Sequence, residues 1–444
     1  MIGVRHSSAK GRLGSWTLGA SIPLLCAALS CETPATTPDG GTGGTPTADG
    51  TGGSAVGSGG LATGGAGSDG SGSGGTGSGG LGSGGAQSGG GGGASGGAGS
   101  GGEAGSGWTG CDPFVAPPDC TIPEGAVLYG DLRCTGLYSD WDARTLRCGV
   151  TEYTPAHELW ADGAGKQRYV WLPPGETIDV SNPDEFDYPV GTRFWKEFYV
   201  GPEGSQKLGE TRYMLRADTG WLYTAYVWNE DGTTAIQENE GVADLFGTGH
   251  SVPGREQCKT CHIGRENYIL GWDFIMLSGD AEGVTAQTLA DEGWLSGLEP
   301  AHLDLTLPGD EVEQAALTYL HANCGVSCHN KTPDATGGPS GLYLRLDVDT
   351  LGSVQSTPAF AGINQFPNPN SMFVDLPNQP AEGYYDFRPL DPDRSLALAR
   401  MAFRGTETAM PPLGTHVADP DGVAVVQAWI ESMTEARGYP APAE

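Results

Sequence analysis

Positive charge is scarce in this chain: 23 Lys and Arg stand against 54 Asp and Glu in 444 residues, a formal net charge of −31. Nucleic acid and anionic bilayer surfaces would be repelled by that balance, which suits a protein that docks basic partners; solubility alone is the alternative reading. No long apolar run follows Leu29, which leaves no expected membrane-spanning helix in the remainder of the sequence. Large apolar side chains are almost missing from Glu32 to Gly107, a stretch made of Gly, Ser, Thr and Ala. Such a segment cannot offset the entropy lost on ordering, and is expected to be a flexible linker of about 76 residues with a span of roughly 50 Å. Its Gly-x-Gly runs lack the flanking strand and helix of a phosphate loop and carry no such reading. Histidine is also rare, with 8 in the whole chain.

Residues 1–31 carry Arg5, Lys10 and Arg12, an apolar run from Trp16 to Leu29, then Ser30 and Cys31. This is the layout of a secretory signal. Ala28-Leu29-Ser30-Cys31 resembles a bacterial lipobox, in which Cys31 is lipidated and becomes the mature N-terminus; an ordinary cleaved signal is the alternative. The expectation is an exported chain in the periplasm or at the cell surface, attached to the outer membrane through lipid alone.

Ten cysteines fall into three groups. Cys26 and Cys31 belong to the signal region. Cys111, Cys120, Cys134 and Cys148 lie in a 38-residue segment rich in Pro, Asp and Gly, where an oxidising compartment would join them as two disulfides. Three connectivities are open. The last four form two pairs, each followed at once by histidine: Cys258-Lys-Thr-Cys261-His262 and Cys324-Gly-Val-Ser-Cys328-His329.

The first of these is the attachment sequence of a c-type haem. Two thiols at that spacing can add across the two vinyl groups of a porphyrin, and the next residue offers its imidazole to the iron. The second pair has one more intervening residue and keeps the histidine. A structural zinc held by four cysteines would leave both histidines unexplained. A small disulfide between Cys324 and Cys328 is a further alternative for the second pair. For the sixth ligand of the second iron, Met410 stands in a proline-stiffened Met410-Pro411-Pro412 loop shortly before a C-terminal helix. Met/His ligation would close the coordination sphere and favour electron transfer over peroxide chemistry. For the first iron the candidates are Met276, His250, His302 and His321. A haem-free structural or binding lipoprotein and a peroxidase-type haem enzyme are the competing function classes.

Residues 151–250 carry strand patterns: Arg193–Tyr199, Thr211–Arg216 and Trp221–Trp228, with turn signals at Asp218-Thr219-Gly220 and Asp231-Gly232. They predict an antiparallel β-sandwich of short strands. From 251 to 444 the pattern changes to a mainly α region, with helices expected over Asp310–Leu320, Arg394–Phe403 and Asp421–Met433. The expected class is therefore α+β, following a signal (1–31), a linker (32–107) and a cysteine-rich loop segment (108–150).

The stretches Tyr153-Thr-Pro-Ala-His-Glu-Leu-Trp-Ala-Asp-Gly-Ala-Gly-Lys166, Asp187-Tyr-Pro-Val-Gly-Thr-Arg-Phe-Trp-Lys196, Glu210-Thr-Arg212 and Tyr226-Val-Trp-Asn229, followed by Val252-Pro-Gly-Arg-Glu-Gln-Cys258 and His321-Ala-Asn-Cys324, resemble a family of bacterial dihaem c-type cytochromes. The resemblance covers roughly residues 125 to 435. It implies two covalent haems at the periplasm or cell surface and redox proteins as partners. The second motif departs from that family, which has two residues between its cysteines where this chain has three.

Overall fold

The computed structural model describes residues 111–376 and 379–442. The signal, Cys31 and the linker lie outside the described residues. In chain order the strands are β1 (Tyr138–Asp140), β2 (Thr145–Leu146), β3 (Thr151–Glu152), β4 (Gly165–Trp171), β5 (Ile178–Asp179), β6 (Arg193–Val200), β7 (Lys207–Ala217), β8 (Gly220–Trp228), β9 (Ala235–Glu238) and β10 (Leu295–Ser296). Among them run helices α1 (Arg255–His262), α2 (Ala286–Asp291), α3 (Glu311–Leu320), α4 (Leu396–Ala402) and α5 (Pro420–Ser432).

The central element is one antiparallel sheet of six strands in the order β3-β4-β6-β7-β8-β9. Aromatic and β-branched residues fill β6 to β8, and the two-residue Asp218-Thr219 turn brings Ala217 opposite Gly220. The expected sandwich does not form, because the layers packed on this sheet are not sheets. One face carries Trp195, Glu197, Tyr226 and Trp228. The disulfide-bonded segment covers it: Trp141 stacks on Trp228 with ring centroids 4.9 Å apart, the Trp195 indole donates to Thr135 at 2.9 Å, and Tyr138 donates to Glu197 at 2.7 Å. Alternation along a strand told the two faces apart, but it held no information on what would cover each.

The other face carries Val170, Phe194, Met214, Trp221 and Tyr223, and packs on the C-terminal region. Trp272 meets Phe194 and Tyr153 edge-on at 5.2 and 5.3 Å, so both regions share one core. That C-terminal region is not mainly α. Among the described residues, five helices of 6 to 13 residues are joined by long loops and 3-10 turns. The expected Arg394–Phe403 helix splits into a 3-10 turn at Pro392–Arg394 and the shorter α4, because Ser395 is extended between them. Among the described residues no helix is long and apolar enough to cross a membrane.

α3 starts where its side chains dictate. Asp310 accepts the amides of Val312 and Glu313, and Glu313 reaches back to the Asp310 amide at 2.9 Å, a reciprocal cap. α5 crosses α3 where Gly422 meets the ring of Tyr319. Trp429 and Ile430 of α5 are fully buried in the second core, and the Trp429 indole donates to Tyr439 at 2.9 Å.

The four N-terminal cysteines pair as Cys111–Cys148 and Cys120–Cys134. Two disulfides were expected, and their connectivity is a structural result.

Candidate functional site

Cys258, Cys261, Cys324 and Cys328 are all free thiols. The small Cys324–Cys328 disulfide is therefore not formed. The two pairs come together instead through Cys261 and Cys328, whose thiols lie close enough to affect each other's ionisation. That proximity, ahead of burial, makes the Cys261 thiol harder to ionise and Cys328 easier. Burial raises Cys258, and raises Cys324 to about 12.

The first pair sits on α1, which packs against β8. His262 closes that helix, and its Nδ1 lies 2.6 Å from the Tyr268 carbonyl oxygen. A ring nitrogen at that distance from a carbonyl must carry the proton, which leaves Nε2 as the lone pair. Burial keeps the ring neutral, with its pKa lowered to about 4, and the nearby charges of Arg212 and Lys196 act in the same direction. Tyr223 of β8 lies face to face with the imidazole, its ring 12° from parallel and 6.4 Å away.

The second pair follows α3 through a π-type turn over His321–Gly325. His329 repeats the arrangement of His262: its Nδ1 lies 3.1 Å from the Leu342 carbonyl, and burial lowers its pKa. The extra residue between the cysteines is absorbed by the wide turn. In an α-helix such as α1 the amide of residue i bonds the carbonyl of i−4, which for His262 is Cys258. The His329 amide bonds the carbonyl of Cys324 at 2.8 Å, one residue further back. Each histidine thus keeps the same relation to the first cysteine of its pair.

The Met410 loop is built, not loose. The Met410 amide donates to the Arg400 carbonyl at 2.9 Å, the Arg400 side chain donates to Thr408, and Arg404 holds the carbonyls of Pro411 and Thr415. The charge of Arg400 is felt at His329. Beyond it, Asp162 accepts the amides of His416 and Val417 at 2.9 Å. Trp160 donates from its indole to Val417 and from its amide to Asn323, one residue before Cys324. Sequence reasoning gave Trp160 and Asp162 no role; they clamp the Met410 loop to the second cysteine pair.

Two of the candidates for the first iron, His250 and His321, lie beside buried carboxylates. His250 is buried with Nε2 3.0 Å from Glu210, and His302 packs against Phe274. His321 is fully buried, its Nδ1 accepting the Leu346 amide at 3.0 Å and its Nε2 lying 3.6 Å from Asp273. Met276 is 2% exposed, and its amide bonds the same Asp273, so it sits with His321. Around them runs a buried ionic network that the sequence did not announce. Arg265, with no exposed surface, donates to Asp273 at 2.8 Å and to the Asp184 carbonyl, and Arg345 donates to Glu185 at 2.6 Å. Burial opposes the ionised form of Asp273, but the His321 imidazole beside it and the charge of Arg265 hold it far below the usual carboxylate range.

The donor chemistry fits a c-type haem at each motif: two thiols able to form thioethers, and a neutral imidazole whose tautomer is fixed by a carbonyl. Among the described residues no group of three or more His, Cys, Asp or Glu converges as a metal ion would require, so the four cysteines are not arranged as one zinc site. The chain matches no family model, no curated protein and no solved structure.

Proposed function

We propose that this chain is an exported, lipid-anchored c-type cytochrome that carries electrons between proteins through covalently bound haems, one at Cys258, Cys261 and His262 and a second at Cys324, Cys328 and His329. The observation that carries this reading is the shared state of the two motif histidines. Each is half-buried, held neutral and tied through Nδ1 to a backbone carbonyl, at 2.6 Å for His262 and 3.1 Å for His329, which is the way proteins orient an imidazole for metal ligation. A haem bound there supplies one-electron chemistry at the iron. The chain supplies the thiols, the oriented imidazoles and, at the second site, the braced thioether of Met410. A closed Met/His pair favours electron transfer over peroxidase chemistry. The adjoining thiols Cys261 and Cys328 place the two attachment points side by side, as a carrier that passes electrons internally requires. The similarity to dihaem cytochromes supports the same reading, as does the wide turn that accommodates the longer second motif.

The test is covalently retained haem per polypeptide, measured by the pyridine haemochrome spectrum after denaturation of chain produced with haem-maturation machinery. Two haems are expected. One would remove the Cys324/Cys328 site, and none would overturn the reading in favour of a haem-free lipoprotein.

A further inference from the structure

The β1–β2 hairpin carries Trp141-Asp142-Ala143-Arg144 at its tip, and the haem sites use none of them. The tip is fixed from several sides. The Ala143 amide donates to the Asp140 carboxylate at 2.9 Å and closes the turn. Arg144 stands at φ +50°, in the left-handed region that a residue with a side chain keeps only when its surroundings hold it there. They do so here: the Arg144 guanidinium donates to the Gly232 carbonyl at 3.1 Å, and the Trp141 indole donates to the Thr233 carbonyl at 2.8 Å. Both side chains also meet Trp228, Trp141 stacked 9° from parallel at 4.9 Å and Arg144 over the ring at 5.0 Å. The Cys111–Cys148 and Cys120–Cys134 disulfides tie the chain on either side of the hairpin.

Beside this tip opens a groove of about 330 Å³, lined by Trp141, Asp142, Ala143, Arg144, Gly232 and Thr233. Its volume and lining are those of a small-ligand site, an aromatic surface with a few placed polar groups. Trp228 takes one face of the Trp141 ring, and Trp141 still keeps accessible surface at the groove. Asp142 and Arg144 are exposed, and their charges cancel in a chain that carries −31 overall. A fitting ligand is therefore uncharged, with a flat apolar face for the indole and polar groups around its rim. A pyranose ring has this form: C–H bonds cover its face, and its rim hydroxyls both donate and accept. An apolar peptide side chain would desolvate Asp142 and Arg144 without pairing them. A polyanion would be repelled by the charge of the chain.

We propose that this groove binds uncharged saccharides, with a pyranose ring seated on the Trp141 indole and its hydroxyls shared among Asp142, Arg144 and the carbonyl oxygens of Gly232 and Thr233. The Asp142 carboxylate accepts from hydroxyls, the Arg144 guanidinium donates to their oxygens, and each carbonyl has a second lone pair beyond the one its N–H donor occupies. Because the tip is already braced, little side-chain freedom is lost on binding. Trp228 and the hairpin lie on the sheet face opposite the one that packs on the C-terminal region, so a saccharide held there leaves the cysteine motifs uncovered. The proposal does not depend on the haem reading.

The experiment titrates the full chain with cellohexaose, maltohexaose and chitohexaose by calorimetry, and with polygalacturonate as an acidic comparison. Wild type, Trp141→Ala, Asp142→Asn and Val190→Ser, a control at an exposed position outside the groove, are compared, each with its thermal unfolding and covalent haem content. At least one neutral hexasaccharide should bind wild type and Val190→Ser alike, with Kd at or below about 1 mM. Trp141→Ala should weaken that binding about tenfold or more, as loss of an aromatic anchor does. Asp142→Asn should weaken it about threefold or more, through one charge-assisted hydrogen bond. Trp141 also covers Trp228, so where Trp141→Ala lowers stability the exposed Asp142→Asn decides. No neutral hexasaccharide bound by wild type, or binding unchanged by Asp142→Asn, would overturn the proposal. So would polygalacturonate bound in a Trp141-dependent way, which would assign the groove to acidic chains instead. Saccharide bound by a chain without covalent haem would support this site while removing the cytochrome reading.

Discussion

Gly264 and Ser327 touch through main chain: a Cβ on Gly264 would lie 1.7 Å from the Ser327 carbonyl oxygen. Asn330 seals the same junction, its amide donating to the carbonyls of Gly264 at 3.0 Å and Gly325 at 2.8 Å. The loops that follow one cysteine pair and enclose the other are thus a single packed unit, which is why Cys261 and Cys328 adjoin.

Gly264→Ala should therefore damage both sites at once. The added methyl group has backbone in its way, and overpacking of this kind costs about 1–3 kcal/mol or more. The expected outcome is a lowered denaturation midpoint and reduced haem retention at both motifs. Gly271→Ala, with nothing within 4 Å of its Cβ, should be close to neutral in the same assays.

His262→Ala and Met410→Ala probe the two haems separately. His262→Ala should abolish or disorder the first haem and leave the second in place; full haem content with a normal spectrum would remove His262 as a ligand. Met410→Ala should lower the potential of one haem, because thioether ligation raises it. An unchanged potential and spectrum would take Met410 out of the coordination sphere.

Two half-buried groups outside the motifs should give stability opposite pH dependences. His157 is lowered from 6.5 to about 4 by burial, with the neighbouring His321 adding to the effect. Its unfolded form binds more protons between those values, so its contribution is present above pH 6.5 and is lost as pH falls toward 4. Asp184 is raised from 3.8 to about 6, chiefly by burial. Its folded form binds more protons, so its contribution is largest below pH 3.8 and is lost as pH rises through 6. Denaturant unfolding from pH 4 to 6.5 should show wild type gaining on His157→Gln as pH rises and losing ground to Asp184→Asn. A pH-independent difference for either variant would contradict the assignment.

Much of the fold was legible because it rests on local signals. The patterns at Arg193–Tyr199 and Trp221–Trp228 became β6 and β8 within a residue at each end, and Asp310 before an acidic turn became the cap of α3. The motif cysteines and histidines were legible for the same reason, since their chemistry depends on spacing along the chain. Relations set by register or by long-range packing were not. Arg168, Lys196 and Arg212 read as ordinary polar positions in three separate strands until pairing places them side by side. Trp160 and Asp162 act on Val417 and Asn323, more than 150 residues away. The sandwich expectation failed because a strand pattern records that a face is buried, not whether a sheet, a disulfide-bonded loop or a helix buries it.

The crossing of α3 and α5 gives the last prediction, because its sign runs against helix propensity. In an open helix interior, replacing glycine by alanine stabilises by about 1 kcal/mol. Gly422 lies inside α5, but a Cβ there would stand 2.1 Å from Cζ of Tyr319, so the ring packs directly on the backbone. Gly422→Ala must displace either the ring or the helix and should lower stability, by roughly 1–3 kcal/mol. α3 runs straight into the π-type turn that carries Cys324, so the displacement should also reduce haem retention at the second motif more than at the first. Tyr319→Leu removes the obstructing ring. If steric conflict is the cause, Gly422→Ala should be markedly less harmful in the Tyr319→Leu background than in wild type, a coupling readable from a double-mutant cycle of thermal unfolding. Additive effects would place the cost of Gly422→Ala somewhere other than the helix crossing.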